Sequence, residues 1–164
     1  MNMDYCMHCG AWLEPRQHAD EGLIPFCPRC GEFRFPVFST AVSMVITTPD
    51  RDRILLIRQY GKPRYILCAG YVNKGEDAES AVVREIREEL GLAVTDCRFN
   101  RSRYFAPSNT LMLNFTAVVT DTEPHPNHEI DNWRWFTPAE AKENIAPGSL
   151  AAEFLNGYLD SPDT

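Results

Sequence analysis

Apolar positions are spread unevenly along the chain. Residues 1 to about 35 hold few consecutive apolar positions, whereas from Phe35 onward short apolar runs alternate with polar turns. VFSTAVSMVIT (37–47) is rich in β-branched residues and predicts a strand. TPDRDR (48–53) predicts a turn, ILLIRQ (54–59) a second strand, and YILCAGYV (65–72) a third that ends near Gly70. Between Glu76 and Leu90 the period changes to that of a helix, with Val83, Ile86 and Leu90 on one face. Asp77 is placed to cap its start and Gly91 its end. LMLNFTAVVT (111–120) and NWRWF (132–136) predict further strands. Thr137, Pro138 and Glu140 have the spacing of a capping box, and Leu150, Phe154 and Tyr158 recur four apart on a last helix. The expectation is a mixed α/β (α+β) domain over 36–164 behind a small module over 1–35.

Composition narrows the function classes. Of the 164 residues 44% are hydrophobic, so a normal core can form. The net charge of −7 repels polyanions at long range, so a phosphate-rich substrate needs a local source of positive charge, such as a divalent cation. No apolar run is long enough to span a bilayer, and Met1 to Gly10 carry no secretory pattern. A cytoplasmic protein without membrane partners is expected.

Four of the six cysteines form Cys6-x2-Cys9 and Cys27-x2-Cys30 with 17 residues between the pairs, each pair followed by Gly. In a reducing compartment that spacing predicts a zinc site, and four thiolates close a tetrahedral shell, so the Zn2+ is structural. The segment is too short to bury a core, and the metal would supply its folding energy. His8 and His18 are then surface residues, and Cys68 and Cys97 small buried hydrophobes. The module is mildly acidic, with Arg16, Arg29 and Arg34 against Asp4, Glu14, Asp20, Glu21 and Glu32, which does not suit phosphate-backbone binding.

REIREELGL (84–92) packs three glutamates and two arginines into one helical stretch. Glu85, Glu88 and Glu89 lie at i, i+3 and i+4 and project together, away from the apolar side. Taken alone, a solvated charged face and a set of cation ligands both fit, because like charges so placed cost only about 0.2–0.5 kcal/mol per pair. The wider spacing is more specific. Gly70, Glu76, Arg84-Glu85, Glu88-Glu89 and Gly91 form G-x5-E-x7-R-E-U-x-E-E-x-G-U, with U aliphatic. This resembles the signature of the Nudix hydrolases at every fixed position.

The resemblance implies a Nudix fold, with a mixed sheet between helices, and hydrolysis of a nucleoside diphosphate linked to another group, X. It implies that Glu85, Glu88 and Glu89 hold Mg2+ or Mn2+, that Glu85 assists the attacking water, that Arg84 holds the carboxylates and that Glu76 pairs with Arg84. Gly70 would let the backbone turn sharply into the loop. The zinc module and FRFPVF linker followed by this box resemble the NADH pyrophosphatase group, here without the N-terminal domain of its full-length members. HEIDNWRWFTPAE resembles that group's later segment and makes Glu129 a fourth candidate carboxylate, beside the reading of an exposed loop residue.

The group's S-Q-P-W-P-F-P-x-S stretch corresponds to SRYFAPSNT (102–110), where Ser102 is identical, Phe105 replaces Trp, Arg103 replaces Gln and Thr110 replaces Ser. Ser102, Arg103 and Phe105 are therefore candidate substrate contacts, the aromatic by stacking on a base and the arginine by reaching a phosphate. NAD(H), cleaved to nicotinamide mononucleotide and AMP, heads the expected substrates, with NAD-capped RNA as a larger one. ADP-ribose, FAD or a nucleotide sugar is the alternative, and a nucleotide-sensing protein without turnover the third reading. The resemblance also suggests a homodimer.

Overall fold

The structure is a computed structural model and describes residues 4–161. The chain divides after Phe38 into two compact units.

The first unit is a three-stranded antiparallel sheet of β1 (Glu14–His18), β2 (Gly22–Cys27) and β3 (Glu32–Phe33), in that order. Pro15 and Pro25 sit opposite each other in the register of β1 and β2. Buried Cys6, Leu13 and Cys27 are its whole apolar interior among the described residues. Gly10 and Gly31, the residues after each Cys pair, adopt positive φ and donate their N–H groups back to the carbonyls of Cys6 and Cys27. That turn folds each pair into a knuckle.

The second unit is built on a six-stranded mixed sheet: β4 (Ser39–Thr47), β5 (Ile54–Gln59), β6 (Cys68–Tyr71), β7 (Val94–Phe105), β8 (Thr110–Val119) and β9 (Ile130–Phe136). Strand order is β7-β8-β4-β5-β9, and β4 runs parallel to β8 while the other pairs are antiparallel. The second edge of β4 is divided. Its first half pairs with β6, and only Ile46 and Thr47 pair with β5. The sheet therefore forks, with β6 filling the wedge.

Period-two alternation sends side chains to two cores. Val42, Met44, Ile46, Leu55 and Ile57 pack with Ile86 and Leu90 of helix α1 (Ala78–Leu90). Val45, Ile54 and Leu56 pack with Phe136 of β9 and with α2 (Pro138–Asn144) and α3 (Leu150–Leu159), through Ala141, Phe154 and Tyr158. The sheet thus lies between helices, as expected. Each fully buried side chain such as Phe115 or Phe154 contributes about 1.5–3 kcal/mol.

Asp77 caps α1 by accepting from the Ser80 N–H, and Gly91 closes it at φ 69°. Thr137 and Glu140 form the expected capping box. The buried stripe of α1 differs from expectation. Val83 is 43% exposed, and Val82 takes the core position instead. Glu89, read as projecting with Glu85 and Glu88 away from the apolar side, is 5% exposed and sits on the buried stripe with Ile86 and Leu90.

Candidate active site and cysteine cluster

In the first unit the four thiols of Cys6, Cys9, Cys27 and Cys30 lie within 4.8 Å of one another. Cys6 and Cys30 sulfurs are 3.9 Å apart, Cys9 and Cys27 sulfurs 3.5 Å. A tetrahedral Zn2+ with Zn–S of about 2.3 Å needs sulfurs about 3.8 Å apart, so this cluster fits one. Arg34 Nε donates to Cys6 Sγ at 3.2 Å, which lowers that thiol to about 5 and favours the ligating thiolate. His18 packs edge-on against Phe33 and takes no part in the cluster.

In the second unit, residues from α1, the fork in the sheet and the turn before β9 line one cavity of about 520 Å3. Glu85, Glu88 and Glu89 of α1 reach it, as do Gly70 of β6, Arg84 and Glu129. Six of the residues singled out from sequence are therefore brought together, and Glu76 joins them through Arg84.

Arg84 organises the acidic side chains. Its Nε and Nη2 donate to the two oxygens of Glu76 at 2.8 and 2.9 Å, and Nη2 also donates to the Tyr71 carbonyl at 2.9 Å. Nη1 donates to Glu85 Oε1 at 2.7 Å and to Glu88 Oε2 at 3.1 Å. Hydrogen bonds from Arg84 hold Glu76 down to about 2, and the same bonds raise the guanidinium's own value. Glu76 also accepts from the Asn73 N–H, pinning the loop before α1.

Gly70 is needed for a reason other than a sharp turn. Its φ is not positive; a Cβ there would land on the carboxyl carbon of Glu85. The missing side chain is the space in which the Glu85 carboxylate sits.

Glu89 is held separately. Gln59 Nε2 and Cys68 Sγ both donate to its Oε2, at 3.2 and 3.3 Å. Burial pushes its carboxyl up to about 7; the Cys68 hydrogen bond opposes this, and repulsion from Glu85, Glu129 and Glu88 adds to it. Burial also raises the Cys68 thiol well above its usual value, so it stays protonated and donates. Cys68 is thus buried, as expected, and in addition engaged with Glu89. Glu129 accepts from the Tyr60 hydroxyl at 2.8 Å, and Tyr60 sits at φ 54°.

Ser102, Arg103 and Phe105 lie elsewhere. They are exposed on β7 and do not line the cavity; Arg103 pairs with Glu153 of α3 at 3.5 Å. Ser108 and Thr110, from the end of the same stretch, do line it. Gln59, Tyr60 and Tyr71 were also missed from sequence. Gln59 carries a usable signal: it is the polar residue at the end of the apolar run ILLIRQ.

The cavity's chemistry is lopsided. Four carboxylates line it against one guanidinium, Arg84, which is already committed to Glu76, Glu85 and Glu88. Hard carboxylate oxygens suit Mg2+ or Mn2+. Glu85 and Glu88 reaching the same nitrogen shows that two of them can share one positive centre.

The NUDIX domain model matches residues 37–154. The chain belongs to the NUDIX family. Nudix relatives match beyond that domain. The NAD-capped RNA hydrolase NudC of Pseudomonas aeruginosa (strain LESB58) is 31% identical over 161 residues, covering 94% of this chain and 55% of that protein. The NAD-capped RNA hydrolase NudC of Mycobacterium tuberculosis (strain ATCC 25177 / H37Ra) is 35% identical over 142 residues, 84% of this chain and 45% of that protein. The chain spans about half the length of these curated relatives. Among solved structures, a NUDIX hydrolase from Nitrosomonas europaea superposes with a TM-score of 0.69 at 20% identity, over 95% of this chain and 88% of that one. The NUDIX domain of Shewanella oneidensis NrtR, solved with ADP-ribose, gives 0.64 at 14% identity, over 82% and 92%. Both likenesses concern the fold. Among the described residues no helix is long and apolar enough to cross a membrane.

Proposed function

We propose that this Nudix chain is a divalent-cation-dependent pyrophosphohydrolase acting on a nucleoside diphosphate linked to X, with NAD(H) or the NAD cap of an RNA as the preferred X-linked substrate. The observation that carries the reading is the cavity lined by Glu85, Glu88, Glu89 and Glu129 with its single guanidinium already engaged. Such a cavity repels a diphosphate unless a cation accompanies it. The identity to two relatives named as NAD-capped RNA hydrolases supports the choice of X.

Glu85, Glu88, Glu89 and Glu129 would hold Mg2+ or Mn2+. Bound there, such an ion supplies charge neutralisation on the phosphate oxygens and acidifies water. The chain's own part is positional. Arg84 fixes Glu85 and Glu88 relative to each other and to the loop carrying Glu76. Glu85, pressed against the bare Cα of Gly70, is the carboxylate placed to accept a proton from the attacking water. Tyr60 orients Glu129. The Cys6, Cys9, Cys27 and Cys30 cluster would hold a structural Zn2+ with no open coordination position.

A second reading keeps the chemistry and changes X to ADP-ribose, FAD or a nucleotide sugar. It is favoured by the position of Ser102, Arg103 and Phe105 outside the cavity, to which the SRYFAPSNT stretch contributes only Ser108 and Thr110. A panel of NAD(H), NAD-capped RNA, ADP-ribose, FAD and nucleotide sugars, assayed with Mg2+ and Mn2+ and read by product identity, separates the two. Nicotinamide mononucleotide as the dominant product supports the first reading. Rapid cleavage of FAD or ADP-ribose beside inert NAD(H) and NAD-capped RNA removes it.

A further inference from the structure

Two core-facing residues from different strands meet on a single oxygen atom of Glu89. On β5, Leu55 and Ile57 face α1, and alternation brings Gln59 to the same face. On β6, Cys68 faces α1 and belongs to the same apolar cluster. Both stripes end at Glu89. Gln59 is 9% exposed, Cys68 1% and Glu89 5%, so all three polar groups are withdrawn from water. The pairing of β5 with β9 slips between Arg58 and Gln59: Arg58 lies opposite Asn132, Gln59 opposite Ile130. The extra residue, Asp131, belongs to β9, so β5 keeps its alternation through Gln59.

We propose that Gln59 and Cys68 are positioning residues that fix Glu89 by its Oε2, so that Oε1 alone is presented to a cation in the cavity. The proposal rests on the reading that Glu89 helps to hold that cation. Both donors converge on Oε2, at 3.2 and 3.3 Å. Pulling this edge of the carboxylate away toward a cation would strand two buried donors in an apolar cluster, where unpaired polar groups are disfavoured. The carboxylate is thereby locked in one rotamer before any ligand arrives. Arg84 does the same for Glu85 and Glu88 from the exposed side of α1. The acidic side chains of α1 that line the cavity are thus held by two independent sets of donors, one charged and solvent-facing, one neutral and buried. A neutral pair suits the buried position, because a second guanidinium there would compete with the cation for the same carboxylate.

The test is Mn2+ affinity of the intact chain without substrate, measured by electron paramagnetic resonance of free Mn2+. Gln59→Met and Cys68→Val keep approximate size and remove the donor; Cys68→Ser keeps a donor. Thermal midpoints and near-ultraviolet circular dichroism verify that each variant folds. Gln59→Met and Cys68→Val are each expected to weaken Mn2+ binding by about 10- to 100-fold, the range typical of groups that orient a ligand. Cys68→Ser is expected to bind close to the wild type. Folded Gln59→Met and Cys68→Val variants with wild-type affinity, beside a Glu89→Gln variant that binds weakly, overturn the positioning role and leave the cation site standing. Wild-type affinity in Glu89→Gln itself overturns both. Should Cys68→Val not fold, Gln59→Met decides between the same outcomes.

Discussion

A Cβ at Gly70 would coincide with the carboxyl of Glu85, so the smallest possible substitution displaces a candidate proton acceptor. Gly70→Ala is expected to fold, since β6 keeps its pairing with β4, yet to lose about 100-fold or more in turnover, the scale of loss for a misplacement of about 1 Å. Steady-state kinetics beside a thermal melt checks this, and an active Gly70→Ala variant would remove Glu85 from its assigned role. Glu76 makes a prediction about pH. Its carboxyl is held down to about 2 in the folded chain, from an ordinary value of 4.5, chiefly by Arg84. A group with a depressed folded value adds stability above the unfolded value and loses it as pH falls through the folded one. The stability advantage of wild type over Glu76→Gln should therefore be full above about pH 5 and shrink progressively toward pH 2. Urea midpoints of both proteins across that window are the measurement; a pH-independent difference would mean that the Glu76–Arg84 pair does not respond to protonation.

At the scale of elements, α1 was legible because its end signals and most of its period agreed: Asp77 at its start, Gly91 at its end, and Ile86 and Leu90 on the inner face, with Val83 the exception. What sequence could not show is that the helix buries a carboxylate. Glu89 falls on the apolar stripe by geometry, and only the donors from β5 and β6 make that position tolerable for it. β7 was illegible for a different reason. Its twelve residues carry two register slips, around Thr95 and Asn100, so outward and inward positions do not alternate. The slip at Asn100 is itself built in: Asn100 donates to Asn114 Oδ1 and accepts from Thr116, and Asn114 donates to the Ser43 carbonyl. One side-chain network thus spans β7, β8 and β4. Asn100→Ala strands Asn114 and Thr116 and should destabilise the chain by about 1–3 kcal/mol, read by chemical denaturation. A loss below about 0.5 kcal/mol would mean that water replaces Asn100 without penalty. Removing the Asp77 cap with Asp77→Ala should cost about 0.5–2 kcal/mol by the same assay.

At the scale of the molecule, the two units lean on different forces. The second has two apolar cores; the first has a handful of buried side chains and four thiols. Stripping metal with a strong chelator is therefore expected to abolish the signal of the Tyr5–Trp12 ring contact while most of the far-ultraviolet spectrum persists. Trp12 fluorescence and circular dichroism, followed together, test this; simultaneous loss of both would tie the second unit's folding to the metal. The four cysteines come together as their spacing suggested, whereas a shared site for Glu85, Glu88, Glu89 and Glu129 was an expectation from the Nudix resemblance and not from spacing alone. Of the cavity's other wall, Ser108 and Thr110 lie in the SRYFAPSNT stretch from which Ser102, Arg103 and Phe105 were expected to reach substrate, while Gln59 and Tyr60 belong to no fixed interval and join them only at the fork in the sheet.

The surplus of carboxylates over free positive charge has a further consequence. On the proposed reading, diphosphate and cation are each poorly received alone and well received together. Linkage then requires that each raise the other's affinity by the same factor. The cavity behaves as a gate with two inputs: substrate is retained only when a divalent ion is also in supply, and the ion is retained best when there is a diphosphate to cut.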